Sequence, residues 1–240
     1  MKAFDDGERQ RLVALTAIES ASRLEGYRVV AGVDEAGRGP LAGPVIAAAC
    51  IIPADIYICG VDDSKKLTAA QRVEVFERIV SDARILYAVD EASVEEIDTV
   101  NILQATMLAM RRAVAALELV PDLLLVDGLH LPYPNIPCKK LIRGDSLSQS
   151  IAAASILAKV TRDRLMQQYH EQWPEYGFGQ HKGYGTAQHR KAIERLGPCP
   201  IHRLSFEPLK SMAEMDGWTQ WTEMSTVLSI SRKGKGSLSQ

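Results

Sequence analysis

The chain has 240 residues, 46% hydrophobic and 24% charged, with a formal net charge of −2. Those proportions are ordinary for a folded protein and exclude collagen-like, coiled-coil and disordered classes. A chain of this length can bury a self-sufficient core, as one large domain or as a domain with an appendage.

The first residues, Met1-Lys2-Ala3-Phe4-Asp5-Asp6, turn acidic at once instead of forming a basic-then-apolar leader. A cytoplasmic location is therefore expected. Glu8 to Leu24 mixes Leu, Val, Ala and Ile with charges at helical spacing and predicts a helix, within an N-terminal extension over residues 1–27. Tyr27 to Asp34 is rich in β-branched residues and predicts a strand that ends on a carboxylate. Pro44 to Ile52 predicts a second strand, stopped by Pro53. The longest purely apolar run, Val45 to Ile52, has 8 residues, against the ~20 a membrane-spanning helix needs. The interval Glu35 to Gly43 is short and glycine-rich, which makes the first two strands an antiparallel pair.

A third strand is expected at Ile85 to Val89. Ile102, Ala105, Thr106, Ala109, Ala113 and Leu117 then recur at helical spacing, and Pro121 stops that helix. Leu123-Leu124-Leu125-Val126-Asp127 is an unbroken apolar run closed by an acid, the pattern of a parallel strand buried on both faces. Strand, helix and strand in succession imply a right-handed crossover. Cys138 to Ile142 predicts a further strand, and Ser146 to about Gln168 a long helix. The expected sheet is mixed, antiparallel first and parallel later, with helices on its faces. The main domain is expected over residues 28–212, followed by a partly flexible extension over 213–240 whose end, Ser231 to Gln240, reads as a frayed tail. The four cysteines contain no C-x-x-C pair and read as reduced thiols.

Four carboxylates stand at the ends of these elements. Asp34 and Glu35 close the first strand, Asp127 closes the buried one, and Asp145 precedes the long helix. Ligands of open α/β sheets sit at the carboxyl edge of the strands. Gathering anions there is unfavourable without a cation, and an all-oxygen set suits Mg²⁺ or Mn²⁺ better than zinc. Such sites handle phosphates with two ions ~3.5–4 Å apart. Plainer readings stand beside this one. Asp127-Gly128 can be a turn, and Asp145 can be the N-cap of the following helix. Neighbours in a regular strand point to opposite faces, so Asp34 and Glu35 share a cluster only if the strand ends or bulges there.

Asp34-Glu35-Ala36-Gly37-Arg38-Gly39-Pro40 places bare backbone and a forked cation beside two acids. Gly37 and Gly39 permit close approach to a ligand and Arg38 suits phosphate, although a tight hairpin accounts for the glycines as well. Ser64, Lys65 and Lys66 form a polar turn that can hold phosphates or merely lie on the surface. Lys159, Arg162 and Arg164 on the long helix can be solvent-facing charges. Tyr184, in the glycine-bounded run His181 to Thr186, can stack on a sugar or base, or simply pack. Between Lys139 and Lys191 there are nine Lys and Arg against four Asp and Glu, a basic region suited to a polyanion.

Together these segments resemble the bacterial ribonuclease HII family, the type 2 ribonucleases H. The resemblance rests on GVDEAGRGPLAGPV (Gly32 to Val45), DDSKKL (Asp62 to Leu67), LLLVDG (Leu123 to Gly128), GDSLSQSIAAASILAKVTRD (Gly144 to Asp163), HKGYGT (His181 to Thr186) and HRLSFEP (His202 to Pro208). It covers roughly residues 29–210. It implies an α/β, ribonuclease H-like mixed five-stranded sheet flanked by helices, with additional C-terminal helices. It implies a metal-dependent endonuclease that uses Mn²⁺ or Mg²⁺ and acts on RNA/DNA hybrids and on ribonucleotide-containing duplex DNA. The family's metal-binding acids fall on Asp34, Glu35, Asp127 and Asp145. Its sugar-reading turn falls on Gly37, Arg38 and Gly39, its junction tyrosine on Tyr184, and its phosphate contacts on Ser64, Lys65 and Lys66. A monomer, with no membrane partner, is expected. Two rivals remain open at this point: a metal-free ribonuclease built on paired histidines, and a hybrid-binding module without catalysis.

Overall fold

A computed structural model describes residues 5–215. The extension expected over 213–240 lies almost wholly outside them, and the expected tail at Ser231 to Gln240 wholly outside. The strands are β1 (Val30–Ala36), β2 (Val45–Ile51), β3 (Leu86–Ala92), β4 (Leu123–Asp127) and β5 (Cys138–Leu141). They form one five-stranded sheet in the order β3-β2-β1-β4-β5. The pairs β1–β2 and β2–β3 are antiparallel, and β1–β4 and β4–β5 are parallel. This is the mixed sheet expected from the sequence.

Helices α1 (Asp6–Leu15) and α2 (Ala17–Leu24) precede the sheet, and α3 (Ala69–Ser81), α4 (Val94–Val100) and α5 (Ile102–Ala115) lie within its crossovers. The long α6 (Gln149–Gln172) follows β5, and α7 (Phe178–His181), α8 (Ala187–Leu196) and α9 (Leu209–Met215) complete the described chain. Among the described residues no helix is long and apolar enough to cross a membrane.

Several boundaries differ from the sequence reading for identifiable reasons. The helix expected over Glu8 to Leu24 is two, divided at Thr16, whose hydroxyl bonds the Val13 carbonyl at 3.0 Å. Such local side-chain bonding competes with a continuing helix. Helices α3 and α4 lie where the sequence reading predicts none, yet each carries a capping box. Thr68 Oγ1 accepts from Gln71 N–H (3.3 Å) and Gln71 Oε1 accepts from Thr68 N–H (2.9 Å). Ser93 and Glu96 do the same for α4. Asp145 does not cap α6. It sits in a 3-10 turn, Gly144–Ser146, and the cap is Ser148, which accepts from Ile151 N–H at 3.2 Å.

The core has two layers, one on each face of the sheet. Alternation along β1 and β2 sends Ala31, Val33, Ala47 and Ala49 toward Ala105, Ala109 and Ala113 of α5. It sends Ile46, Ala48 and Cys50 toward Ala152, Ile156 and Val160 of α6. Leu12 and Leu15 are buried in that second layer, so α1 packs on the same core as the sheet. Glu19 of α2 is buried and takes bonds from Ser148 Oγ (2.6 Å) and Ser150 N–H (3.0 Å). A carboxylate placed there complements the positive end of α6.

Gly32 lets α6 approach the middle of β1. A Cβ at this position would stand 2.1 Å from the Ser150 carbonyl carbon, which is backbone and cannot step aside cheaply. Gly32→Ala should therefore destabilise the fold by about 3 kcal/mol through overpacking, measured as a lowered midpoint in urea unfolding. An unchanged midpoint would contradict this account of the contact.

Candidate active site

The first strand does not end at Asp34, nor does it bulge. Its register with β2 runs unbroken through Asp34↔Ala48, Glu35↔Ala47 and Ala36↔Ile46. The objection from alternation is answered on the other side of the strand. Pairing of β1 with β4 stops at Val33↔Val126, so Asp34 and Asp127 come one step later, where the two parallel strands part. Asp34, Glu35 and Asp127 line one cavity of about 210 Å³. Enclosed small-molecule sites are roughly 300–1,000 Å³. A smaller, open cavity suits a strand laid across it better than an engulfed ligand.

Asp34 and Asp127 are each held by a short hydrogen bond, and Glu35 and Asp145 by longer ion pairs. Asp34 Oδ1 accepts from Glu35 N–H at 2.7 Å and lies against the Ser155 hydroxyl of α6. Asp127 Oδ1 accepts from Gly144 N–H at 2.6 Å, which ties β4 to the turn that carries Asp145. Asp145 is buried but is not in the cavity wall, and its Oδ2 is 3.4 Å from Lys65 Nζ. Glu35 Oε1 is 3.5 Å from Arg38 Nη1, while its Oε2 is buried with no hydrogen-bond partner.

Burial, then the Glu35 and Asp127 carboxylates, push Asp34 well above the usual carboxylate range. Burial raises Glu35 as well, with Arg38 opposing and Asp127 adding to the rise. Asp145 is raised by burial against the pull of Lys65. A buried oxygen with an unused lone pair, beside acids that resist ionising together, is a donor set that fits a hard divalent cation. Among the described residues, no three acidic, histidine or cysteine side chains converge tightly enough to enclose a single ion. Lys65 and Arg38 share the charge instead.

The remaining sequence candidates divide. Gly37, with φ +99°, Ser64, Lys65 and Tyr184 line the cavity. Tyr184 is 45% exposed, so its ring is free to stack. Arg38 and Gly39 stand beside the cavity without forming its wall, and a Cβ on Gly39 would be 3.8 Å from the Tyr184 ring. Lys66 turns away and pairs with Asp62 at 3.0 Å. The segment from Gly37 to Gly43 is therefore a shaped loop at the cavity edge, and a tight hairpin does not describe it.

This arrangement, acids at the parting of two parallel strands beside a glycine loop and a half-exposed tyrosine, has close relatives. The family model described as ribonuclease HII matches residues 31–209. The chain belongs to the ribonuclease HII family. A ribonuclease HII of Chlamydia pneumoniae is 55% identical over 205 residues, covering 85% of this chain and 95% of that protein. One from Desulfitobacterium hafniense is 53% identical over 208 residues, covering 87% and 80%. The crystal structure of the ribonuclease H2 from Pyrococcus horikoshii is similar with a TM-score of 0.63 at 29% identity, covering 78% of this chain and 98% of that one. The fold class and the assignment as a nuclease of the ribonuclease H type both hold.

For a ribonuclease HII, the histidine rival fails on position. His181, His189 and His202 are gathered behind the Tyr184 turn instead of at the acids, with His189 Nε2 and His202 Nε2 3.0 Å apart. Burial pulls His189 down to about 4 and His202 to about 3, so both are neutral. They serve structure: His189 Nδ1 meets the Tyr184 carbonyl at 3.0 Å, and Gly183 N–H donates to His181 Nδ1 at 3.2 Å.

Arg72 and Ser155, which the sequence reading did not single out, also line the cavity, as do Lys159 and Arg162, which it read as solvent-facing charges. Arg162 is only 1% exposed, so its reading as a solvent-facing charge is wrong. Its signal was available in the fourth matching segment, but three cations on one helix look alike until burial separates them. Arg164 does face outward, toward Glu77 at 2.8 Å, and Lys159 is half-buried against Asp163 at 2.6 Å.

A raised pKa in the fold means the folded chain holds its proton longer than the unfolded one. Destabilisation by Asp34 therefore grows as pH climbs above the unfolded carboxylate range of about 4. At neutral pH in chelator, Asp34→Asn, which can still accept from Glu35 N–H, should melt roughly 2–4 °C higher than wild type, equivalent to about 1 kcal/mol. A thermal scan checks this, and a lower melting temperature would show that repulsion among the acids does not govern stability here.

Proposed function

We propose that this protein is an endonuclease of RNA/DNA hybrids that also cuts on the 5′ side of ribonucleotides embedded in duplex DNA. The products are 3′-hydroxyl and 5′-phosphate ends. The observation that carries this reading is one cavity shared by Asp34, Glu35, Asp127, Gly37 and Tyr184, which puts acids and sugar-reading elements within one nucleotide's reach. Family membership supports it. We further take the protein to act as a monomer in the cytoplasm.

Asp34, Glu35, Asp127 and Asp145 would hold the divalent ions, Mg²⁺ or Mn²⁺. When bound, such ions lower the pKa of an attacking water and stabilise the leaving 3′-oxygen. The chain's own groups bind and orient. Gly37, Arg38 and Gly39 present main chain to the ribose 2′-hydroxyl, the group that distinguishes RNA from DNA. That hydroxyl is a recognition handle, and the nucleophile is water. Tyr184 stacks on the sugar at the junction, and its exposed ring supports that role. Ser64 and Lys65 orient the phosphate, with Lys66 contributing charge from outside the cavity. Phosphate contacts supply affinity without regard to sequence, so the discrimination falls to the loop.

The test is a cleavage assay on a duplex with one ribonucleotide, run with Mn²⁺, with Mg²⁺ and with chelator. Wild type should cut with either metal and not in chelator. Asp127→Asn, which preserves shape and the bond from Gly144 N–H, should keep its fold and lose at least 100-fold in turnover. If it retained full turnover, the acids would have no part in the reaction. Gly37→Ala should also lose cleavage of the single ribonucleotide, because the new Cβ would stand 2.1 Å from Arg162 Nε at a φ of +99°. Full activity of that variant would refute sugar reading by this loop.

A further inference from the structure

Two arginines lie beneath the loop without any anion to justify them. Arg203 is 0% and Arg162 is 1% exposed, and among the described residues neither has a carboxylate within ion-pair distance. Burial draws them down to about 9 and about 10, still above neutral pH, so both stay charged. All their hydrogen bonds go to main-chain carbonyls. Arg203 donates to Gly37 O (2.6 Å), Arg38 O (2.9 Å) and Gly43 O (2.9 and 2.7 Å). Arg162 donates to Ala42 O (3.0 Å), Pro44 O (3.1 Å) and Lys182 O (3.0 Å).

A buried cation paired only with neutral dipoles is a poor way to stabilise a fold, since an apolar side chain avoids the desolvation. What the guanidinium offers instead is a planar fork that fixes several oxygens at once. The consequence follows from peptide geometry. In a trans peptide the C=O and the next residue's N–H point in opposite directions. Holding the Gly37 and Arg38 carbonyls on Arg203 therefore turns the Arg38 and Gly39 N–H groups to the far side of the loop. Among the described residues neither N–H meets a protein acceptor. A Cβ on Gly39 would stand 3.8 Å from the Tyr184 ring, so this stretch of backbone runs alongside Tyr184.

We propose that Arg203 is a positioning residue: it fixes the Gly37 and Arg38 carbonyls so that the Arg38 and Gly39 N–H groups face the substrate sugar. Arg162 sets the distance between this loop and the Tyr184 turn by bridging Ala42 and Pro44 to Lys182. This deepens the reading under Proposed function and rests on it. Arg203 is otherwise fastened, with its own N–H on Leu41 O at 2.9 Å and its guanidinium over the Phe206 ring at 5.1 Å. The clamp and the loop thus move as one piece.

The test is Arg203→Lys in the full chain. It keeps the charge and the stem but replaces the fork with a single ammonium that cannot span three carbonyls. On a duplex with one ribonucleotide, in Mg²⁺, the variant should melt within a few degrees of wild type and keep KM within about threefold, because phosphates dominate binding. Its kcat should fall at least tenfold, because the scissile sugar is no longer registered. A folded variant with wild-type kcat, or one in which only KM rises, overturns the proposal.

If Arg203→Lys does not fold, the wild-type chain decides by NMR in chelator. The Arg38 and Gly39 amide resonances should move on adding the ribonucleotide duplex and not on adding its all-deoxy counterpart. Equal responses, or none, overturn the proposal. Wild type serves as the control for the underlying reading: if it leaves the ribonucleotide duplex uncut in Mg²⁺ and Mn²⁺, the proposed function fails and the clamp loses its purpose. A cutting wild type with an unaffected variant removes the clamp alone.

Discussion

Carboxylates repel one another most strongly where water is scarce, and Asp34, Glu35 and Asp127 meet in such a place. Like charges ~4 Å apart at an effective dielectric of ~20 repel by about 4 kcal/mol, more than most single contacts contribute to a fold. The surroundings read as a response to that constraint. Lys65 approaches Asp145, Arg38 approaches Glu35, and the Gly144 N–H and Ser155 hydroxyl attend to the two aspartates. None of these quenches the cluster, since Asp34, Glu35 and Asp145 all remain raised. The fold holds an anionic site under tension, and a tension of this sign is relieved by cations.

Holding such a site rigid requires close packing around it. The small residues Ala152, Ala153, Ala154 and Ala158 of α6 are fully buried, and Gly32 removes the last obstacle between that helix and β1. Because α6 lies so close, Ser155 reaches Asp34 and Ser64 at once, with 2.9 Å between the two serine hydroxyls. The same helix carries Arg162 to the underside of the glycine loop. One helix therefore braces the acids with its hydroxyl and the loop with its cation, and the two parts of the cavity share a single support.

How much of this was legible in the sequence depends on range. β4 was readable to the residue because a buried parallel strand needs an unbroken apolar run, and Leu123 to Asp127 supplies one. Asp34, Glu35 and Asp127 were legible because each closes an apolar strand, and the antiparallel pairing of β1 with β2 followed from the short interval between them. Long-range partners were not readable. Nothing local in Arg162 or Arg203 distinguishes a buried cation from a surface one, because all but one of their partner carbonyls are 118 to 166 residues away and the other, Lys182 O, is 20 away. Asp145 misled for a related reason: an acid shortly before a helix looks like a cap, and only the intervening 3-10 turn hands that role to Ser148. The helices α3 and α4 belong to a third kind, local and legible through their capping boxes.

Alternation offers the sharpest case. By parity Asp34 belongs to the α6 face and Glu35 to the α5 face, so a sequence argument must demand that the strand break between them. It does not break. The pairing with β2 continues through both residues, and what ends is the pairing on the other side, with β4, after Val126. A strand that keeps one partner and loses the other stays straight while exposing both faces at that edge, so consecutive side chains can reach one opening from opposite faces. The parity rule constrains direction at the backbone, whereas convergence at a sheet edge is decided by where the adjacent strand stops. In this chain the parallel pairing with β1 ends at Val126, and the next residue, Asp127, which closes β4, is the third acid of the cavity.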